Sequence, residues 1–392
     1  MKTPRMANAV GHIGNELITA AADGKKKSKH HPWLKWGSIA ACFAVLVIAG
    51  AAILPSFLGG DGPATGKYKY HISGSEANVR WPWEYKTNGE KYPTIHFNGK
   101  AYGIKYLNPI GEELLGDMLG SCKAEGVDSY TNKKYTETFE VRRINGVSAE
   151  RLVASGAAGE FYVYMLDNTA KPATFGEVME LYGLAQTLEF NHFTVCEGYK
   201  EKGYYKANDD AYIWQILSDC GNAELYNGAD SFDRSNRNYL TFTATSDALG
   251  VYKSVIYISE DGYFATNIFN YSYIYFIGEE AAGKIISYAK SNSTEASFEP
   301  YELTVSGTLT EIGDGYVLID DSVLCTDEKD GTVYKIFTND IRMKRCIEFV
   351  GIKVGDTVAV KYSGEISENN EIDGAYSMHK GTLVEGDLAI PE

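Results

Sequence analysis

The sequence predicts an α+β region followed by a small all-β barrel of the OB type, with one transmembrane helix in front of both. Three observations support this prediction. Residues 37–58 form an uncharged apolar stretch, strand and helix patterns alternate over 67–297, and strand patterns dominate 298–392. Residues 1–36 then form a tail and residues 59–66 a Gly/Pro-rich linker. Whether 67–297 folds as one domain or two is left open.

The apolar stretch has the length of a bilayer span. Residues 37–54 contain no charged side chain, and a helix over 37–58 would be about 33 Å long. Lysines precede the stretch and Asp61 follows it, so the positive-inside rule places the N-terminus in the cytoplasm. We therefore expect a single-pass protein of the cell membrane, with the lipid bilayer as a partner and the C-terminal domains outside. A cleaved signal peptide is the alternative.

The tail carries a helical pattern. Met6, Val10, Ile13 and Leu17 recur at helical spacing, with polar residues between them. A helix this short is marginal in water unless its apolar side packs against something. A groove on a partner protein is the leading interpretation. The inner leaflet is the second, and a tail that only sets topology is the third.

Residues 8–27 and 31–48, NAVGHIGNELITAAADGKKK and HPWLKWGSIAACFAVLVI, carry a resemblance to a known class. They resemble the start of anti-sigma-factor-like single-pass membrane proteins of Gram-positive, clostridia-like bacteria. The resemblance implies that the inner segment holds a sigma factor while the outer domain senses an envelope signal.

Three hairpins and three helices are predicted over 67–297. The hairpin turns are Asn98-Gly99, the loop 155–159 and Glu260-Asp261-Gly262. The helices cover 174–184, 209–217 and 279–289, the first with a capping pattern at Thr174 and Glu177. Further along, strands are predicted at 301–309, 315–319, 333–337, 358–362 and 378–384, with a helical insert at 342–350.

The net charge and the cysteine content indicate which classes of function and which thiol chemistry to expect. The chain has 392 residues, a formal net charge of −15 and 13% aromatic residues. Such an acidic chain is not expected to bind nucleic acid through its phosphates. Its six cysteines are scattered, which favours buried free thiols; a Cys325–Cys346 disulfide is the alternative.

No motif for catalysis or metal binding is present, so we expect no enzyme activity and no cofactor. The aromatic run WPWEY offers Trp81 and Trp83 as candidate contacts for an outer ligand, a cell-wall glycan or a peptide. The competing interpretation is that such aromatics only build half-buried sheets. The leading hypothesis is a non-enzymatic membrane regulator or sensor. The rival is a membrane-anchored surface protein that binds glycan or peptide, and an enzyme comes third.

Overall fold

The protein is described from a computed structural model, which covers residues 79–167, 170–226, 232–269, 272–297, 303–322 and 331–383. These residues belong to one compact unit that spans Tyr68–Glu392. They fold into a closed six-stranded barrel and two seven-stranded sheets. The predicted tail, transmembrane helix and linker lie outside the described residues.

The barrel forms first along the chain, after a short lead-in. The lead-in contains strand β1 (Val79–Arg80), a 3-10 turn (Trp83–Tyr85) and helix α1 (Asn88–Lys91). The barrel strands are β2 (Thr94–Phe97), β3 (Lys100–Ile104), β4 (Leu115–Val127), β5 (Lys134–Ile144), β6 (Leu152–Ala157) and β7 (Glu160–Leu166). They close in the order β2-β3-β7-β6-β5-β4, and neighbouring strands are antiparallel.

Strands β6 and β7 are buried on both faces because they join two cores. Val153, Tyr162 and Tyr164 lie in the barrel interior, in a cluster with Phe139. The alternating residues, such as Val163, lie in a second cluster with the sheet that follows. One face of β6 and β7 therefore packs in the barrel interior, and the other face packs against the second sheet.

The second sheet carries most of the helices. Its strands are β8 (Glu189–Glu197), β9 (Lys200–Ala207), β10 (Asn238–Ser246), β11 (Val251–Ser259), β12 (Tyr263–Thr266), β13 (Tyr273–Phe276) and β14 (Ser293–Glu295), in the antiparallel order β13-β12-β11-β10-β8-β9-β14. The helices are α2 (Phe175–Tyr182), α3 (Leu184–Thr187), α4 (Ala211–Asp219) and α5 (Glu279–Ser291). The apolar side chains of α2, α4 and α5 share one core with Phe242, Ile256 and Phe264 of the sheet.

The third sheet closes the chain. Its elements are β15 (Leu303–Gly313), β16 (Tyr316–Asp320), β17 (Val333–Phe337), helix α6 (Ile341–Val350), β18 (Thr357–Tyr362), β19 (Glu371–Ile372) and β20 (Ala375–Leu383). The strand order is β1-β20-β18-β15-β16-β17-β19, with β17 and β19 parallel and the other neighbours antiparallel. Strand β1 comes from far upstream, so both ends of the described chain meet in this sheet.

The predicted fold class is wrong. The described residues are mostly β rather than α+β, and the closed barrel lies over 94–166 instead of 298–392. The C-terminal segment is a seven-stranded sheet that takes in β1, so it matches an OB barrel only loosely. The sequence pattern missed the longest strands, because β4 mixes three glycines with polar residues and shows no regular apolar alternation.

The membrane predictions are also contradicted. Within the described ranges no helix is long and apolar enough to cross a membrane, and α5, the longest of them, has 13 residues. This finding contradicts the predicted single-pass architecture and the predicted cell-membrane localisation. Residues 37–58, where the span was predicted, lie outside the described residues.

The predicted turns, helix cap and C-terminal helix agree better with the structure. Asn98 and Gly99 have φ of 49° and 74° and connect β2 to β3, as the hairpin pattern required. Thr174 caps α2 by accepting a hydrogen bond from the backbone N–H of Glu177 at 3.3 Å. The hairpin around Asp261 and helix α6 are confirmed too. The 155–159 loop is tighter than predicted, with its turn at Ala158 and Gly159.

Candidate functional site

The two tryptophans proposed from sequence lie at the lead-in to the barrel. Trp83 is only 9% exposed, stacks on Tyr135 at 4.4 Å between centroids and meets Tyr92 edge-on at 5.7 Å. Trp81 is half-buried, and its backbone N–H donates to the hydroxyl of Tyr130 at 3.2 Å. Most of the Trp83 ring is thus already packed against barrel residues. The ligand-contact role of Trp81 and Trp83 stays a prediction.

A larger set of aromatic side chains gathers at one end of the second sheet, on the face opposite its helices. On β11, Tyr257 alternates with Ile256 and Ile258, which belong to the core, so Tyr257 lies on the outer face. We call this set the aromatic–arginine surface. Its members are Tyr199, Tyr226, Phe232, Arg234, Arg237, Tyr257, Tyr263 and Phe276.

The rings form a continuous row that crosses the strands. Phe232 stacks on Tyr257 with centroids 5.6 Å apart and meets Tyr263 at 6.5 Å. Tyr263 and Phe276 are directly paired across β12 and β13, with centroids 5.3 Å apart. Tyr199, in the β8–β9 turn, is linked to this row through Arg234, whose guanidinium lies 5.6 Å from the centroid of its ring. Such ring spacings are those of favourable aromatic pairs.

Several members of the row remain open to solvent. Tyr199 is 71% exposed, Phe276 50% and Tyr226 43%. Large exposed aromatics that gather in one place are uncommon on a folded surface and mark interaction sites. Tyr257 lies deeper, and burial raises its pKa while Arg234 opposes that rise. Its phenol is therefore neutral near pH 7 and can both donate and accept a hydrogen bond.

Two arginines lie between the rings. The guanidinium of Arg237 lies 4.7 Å from the Tyr263 centroid and 5.2 Å from that of Phe232, and it forms an ion pair with Asp261. The guanidinium of Arg234 lies 5.0 Å from the Tyr257 centroid and 5.6 Å from that of Tyr199. Planar cations on flat rings give the surface both stacking area and hydrogen-bond donors.

A buried polar network joins α1 and the barrel to the third sheet. His379 Nδ1 lies 2.9 Å from Glu90 Oε1, and His379 Nε2 lies 3.1 Å from Ser377 Oγ. Thr87 adds two donors, its backbone N–H and its hydroxyl, at 2.8 and 2.9 Å from Glu90 Oε2. Burial by itself would raise the pKa of Glu90, but the hydrogen bond and charge of His379, together with Thr87, lower it to about 2.

The order hydroxyl, imidazole, carboxylate is that of a hydrolase triad, but the surroundings favour a structural role. Ser377 is 2% exposed, so a substrate would have no direct access to its hydroxyl. The neighbouring Cys346 is also buried, and burial raises the pKa of its thiol to about 11. Ser377 is therefore too buried to attack a substrate, and the raised pKa of Cys346 keeps its buried thiol protonated near pH 7.

An open depression of about 640 Å³ lies between the start of β4, the β5–β6 connection and the end of α2. Asp117, Arg143, Glu150 and Glu180 line it with mixed charge. The described residues bring together no group of three or more His, Cys, Asp or Glu side chains able to hold a metal ion. Cys122, Cys196, Cys220 and Cys346 are free thiols, and Cys325 lies outside the described residues.

The sequence missed the aromatic–arginine surface because its members are spread over 78 positions from Tyr199 to Phe276. Strand pairing, together with the packing of residues 232–237 on the sheet, brings them together. The one usable signal was the density of tyrosines, 29 in the chain, which by itself does not separate a binding surface from a sheet interior. Met6, Val10, Ile13 and Leu17, proposed as partner contacts, lie outside the described residues.

Comparison with known proteins found no relative of this chain. No protein-family model, no curated protein and no solved structure matches the chain. The resemblance of the N-terminal residues to anti-sigma-factor-like proteins is therefore neither supported nor contradicted and stays a prediction.

Proposed function

We propose that the described part of the chain is a non-enzymatic binding module whose aromatic–arginine surface takes an extended glycan. The observation that supports this proposal is a set of aromatic rings on one sheet face, of which Tyr199, Tyr226 and Phe276 are exposed, with two arginines between them. Sugar rings present flat apolar faces edged with hydroxyls, and such ligands need stacking area next to hydrogen-bond donors.

A glycan suits this surface better than a peptide. Peptides that bind sheets usually add as a strand along a free edge, where the backbone supplies hydrogen bonds. The row instead runs across β11, β12 and β13 and lies on their face. An apolar groove for a helical peptide would also exclude the charged side chains of Arg234, Arg237 and Asp261 that lie among the rings.

The test is binding of the full chain to purified cell-wall polysaccharide and to soluble oligosaccharides released from it. Tyr199→Ala and Phe276→Ala should each raise the dissociation constant about fivefold to tenfold, since one stacked ring contributes about 1 kcal/mol. Calorimetric titration measures this.

Tyr212→Ala is the matched control. Tyr212 is 42% exposed and packs on Tyr288 of α5, on the helical side of the sheet, so its loss should leave binding unchanged. Trp81→Ala tests the site expected from sequence. Binding that is lost with Trp81→Ala and retained with Tyr199→Ala would move the site to the lead-in and contradict the proposal.

We also retain, as a proposal, the regulatory role expected of the tail, in which Met6, Val10, Ile13 and Leu17 hold a sigma factor. Its support is the helical spacing of these residues and the resemblance they carry. A Val10→Asp/Leu17→Asp chain should lose a sigma factor that the wild-type chain retains in a pull-down. Equal recovery by both chains would end this proposal.

A further inference from the structure

The two arginines of the aromatic–arginine surface are in different electrostatic situations. Arg237 is neutralised by Asp261, and its Nε donates to the backbone carbonyl of Asp233 at 2.8 Å. Arg234 donates from Nη1 to the hydroxyl of Tyr257 at 3.0 Å. Among the described residues no carboxylate forms an ion pair with Arg234. One cation of the pair is satisfied and the other is available.

Arg234 is nevertheless held in place. Its guanidinium lies against both the Tyr199 and the Tyr257 rings, and the hydrogen bond to Tyr257 sets its orientation. Of the five N–H donors of the guanidinium, one has a hydrogen-bond partner among the described residues, and the others can serve a ligand. A cation that is already ordered loses little conformational entropy when an anion binds.

The nearest acidic side chain in sequence does not serve as the counterion. Asp233 accepts from the backbone N–H of Ser235 at 3.0 Å, and this bond, together with the charge of Arg237, lowers the pKa of the Asp233 carboxyl. Within the described residues, the Arg234 guanidinium is thus a cation of this surface that no carboxylate pairs with, in a chain whose formal charge is −15.

We propose that the glycan bound by the aromatic–arginine surface is anionic and that its acidic group, a carboxylate or a phosphate, binds Arg234. This inference rests on the proposed function and names the ligand class. The acidic group would accept two charge-assisted hydrogen bonds from the guanidinium while an adjoining sugar ring stacks on Tyr199, which is 71% exposed. The competing explanation is that Arg234 only fixes the segment 232–238 to the sheet.

The experiment compares matched ligands on the full chain. An oligogalacturonate, its fully methyl-esterified form and a phosphorylated neutral oligosaccharide of the same length are titrated calorimetrically into wild type, Arg234→Gln and Arg234→Lys. The control is Arg142→Gln. Arg142 lies over an aromatic ring, Phe161, as Arg234 does over its rings, but it is paired with a carboxylate, Glu140, and lies on the barrel. Thermal melts check that each variant folds.

Wild type should bind at least one acidic ligand about tenfold tighter than the ester, and this preference should weaken with added salt. Arg234→Gln should abolish the preference, Arg234→Lys should retain part of it and Arg142→Gln all of it. The two acidic ligands tell whether carboxylate or phosphate is preferred.

Two results would overturn the inference, and they differ from failure of the proposed function. Equal affinity of wild type for acid and ester, with Tyr199→Ala still weakening both, refutes the anionic ligand and leaves glycan binding in place. No binding of any oligosaccharide, with Arg234-dependent binding of a polyglutamate peptide, refutes the glycan and retains the anion site.

Discussion

Glu90 and His379 come from opposite ends of the described chain, 289 positions apart, and meet in a site where both are mostly buried. A buried carboxylate is costly unless its oxygens are hydrogen-bonded and a positive charge lies nearby. Here Thr87 supplies donors to one oxygen and His379 pairs with the other. The pair therefore stabilises the contact between α1 and β20 only while both partners are present.

Replacing Glu90 by Gln should lower the free energy of unfolding by about 2 kcal/mol at pH 7, since a hydrogen-bonded charge is lost from a buried pair. Urea titration measures the change. Glu84→Gln, at an exposed position in the same lead-in, should have almost no effect.

The pH dependence of that difference has a definite sign. The pKa of Glu90 falls from 4.5 to about 2 on folding, so its ionised form stabilises the fold above pH 4.5, and this contribution is lost as the pH falls towards 2. The difference between wild type and Glu90→Gln should shrink by about half by pH 3. Burial raises the pKa of Glu160 nearby and the charge of Glu90 adds to this rise, which has the opposite effect on stability and is partly relieved in Glu90→Gln. A difference that stays constant from pH 7 to pH 3 would show that Glu90 is not ionised in the fold.

At the scale of single elements, short-range chemistry decides turns and caps. Asn98-Gly99 and Thr174 were predictable because left-handed φ values and N-cap hydrogen bonds depend on neighbours in sequence. The β4–β5 hairpin was not, because the residues of β4 that face the barrel core, such as Cys122 and Ala124, are small and alternate only in its second half. Its exposed Met118, 58% accessible, shows how weakly its first half follows the alternation rule.

Gly183, which separates α2 from α3, gives a prediction at this scale. Its φ is 57°, and a Cβ placed there would lie 2.0 Å from the carbonyl oxygen of Gly146. Gly183→Ala should therefore destabilise the protein by about 2–4 kcal/mol, through left-handed strain and the clash with backbone. A thermal melt detects the loss.

Gly283 provides the control for this substitution. It lies inside α5 with nothing within 4 Å of its added Cβ, so Gly283→Ala should stabilise the helix by about 0.5–1 kcal/mol. Similar effects of the two substitutions would contradict the geometry at Gly183.

For the whole molecule, polar contacts between distant parts of the chain join the three sheets, in addition to the apolar core that the barrel shares with the second sheet. Arg342 of α6 pairs with Asp247 beyond β10 at 3.4 Å and lies over the Tyr252 ring at 4.4 Å from its centroid. Asn108, after β3, donates to the backbone carbonyl of Tyr376 in β20 at 3.1 Å. Lys105 donates to the carbonyl of Ile268 at 2.6 Å, which ties the barrel to the second sheet. None of these pairs can be predicted from the residues next to them in the sequence.

By itself the sequence determined the hairpin turns, helices α2, α4 and α5 of the second sheet and helix α6, because dihedral preference and apolar period act over a few residues. The tertiary structure alone decided which strands close into a barrel and that β1 joins the last sheet. It also decided that Tyr199, Arg234 and Phe276 share one surface. Strand pairing links residues far apart in the chain, and the free energy that selects among pairings comes from side-chain packing formed only when the sheets assemble.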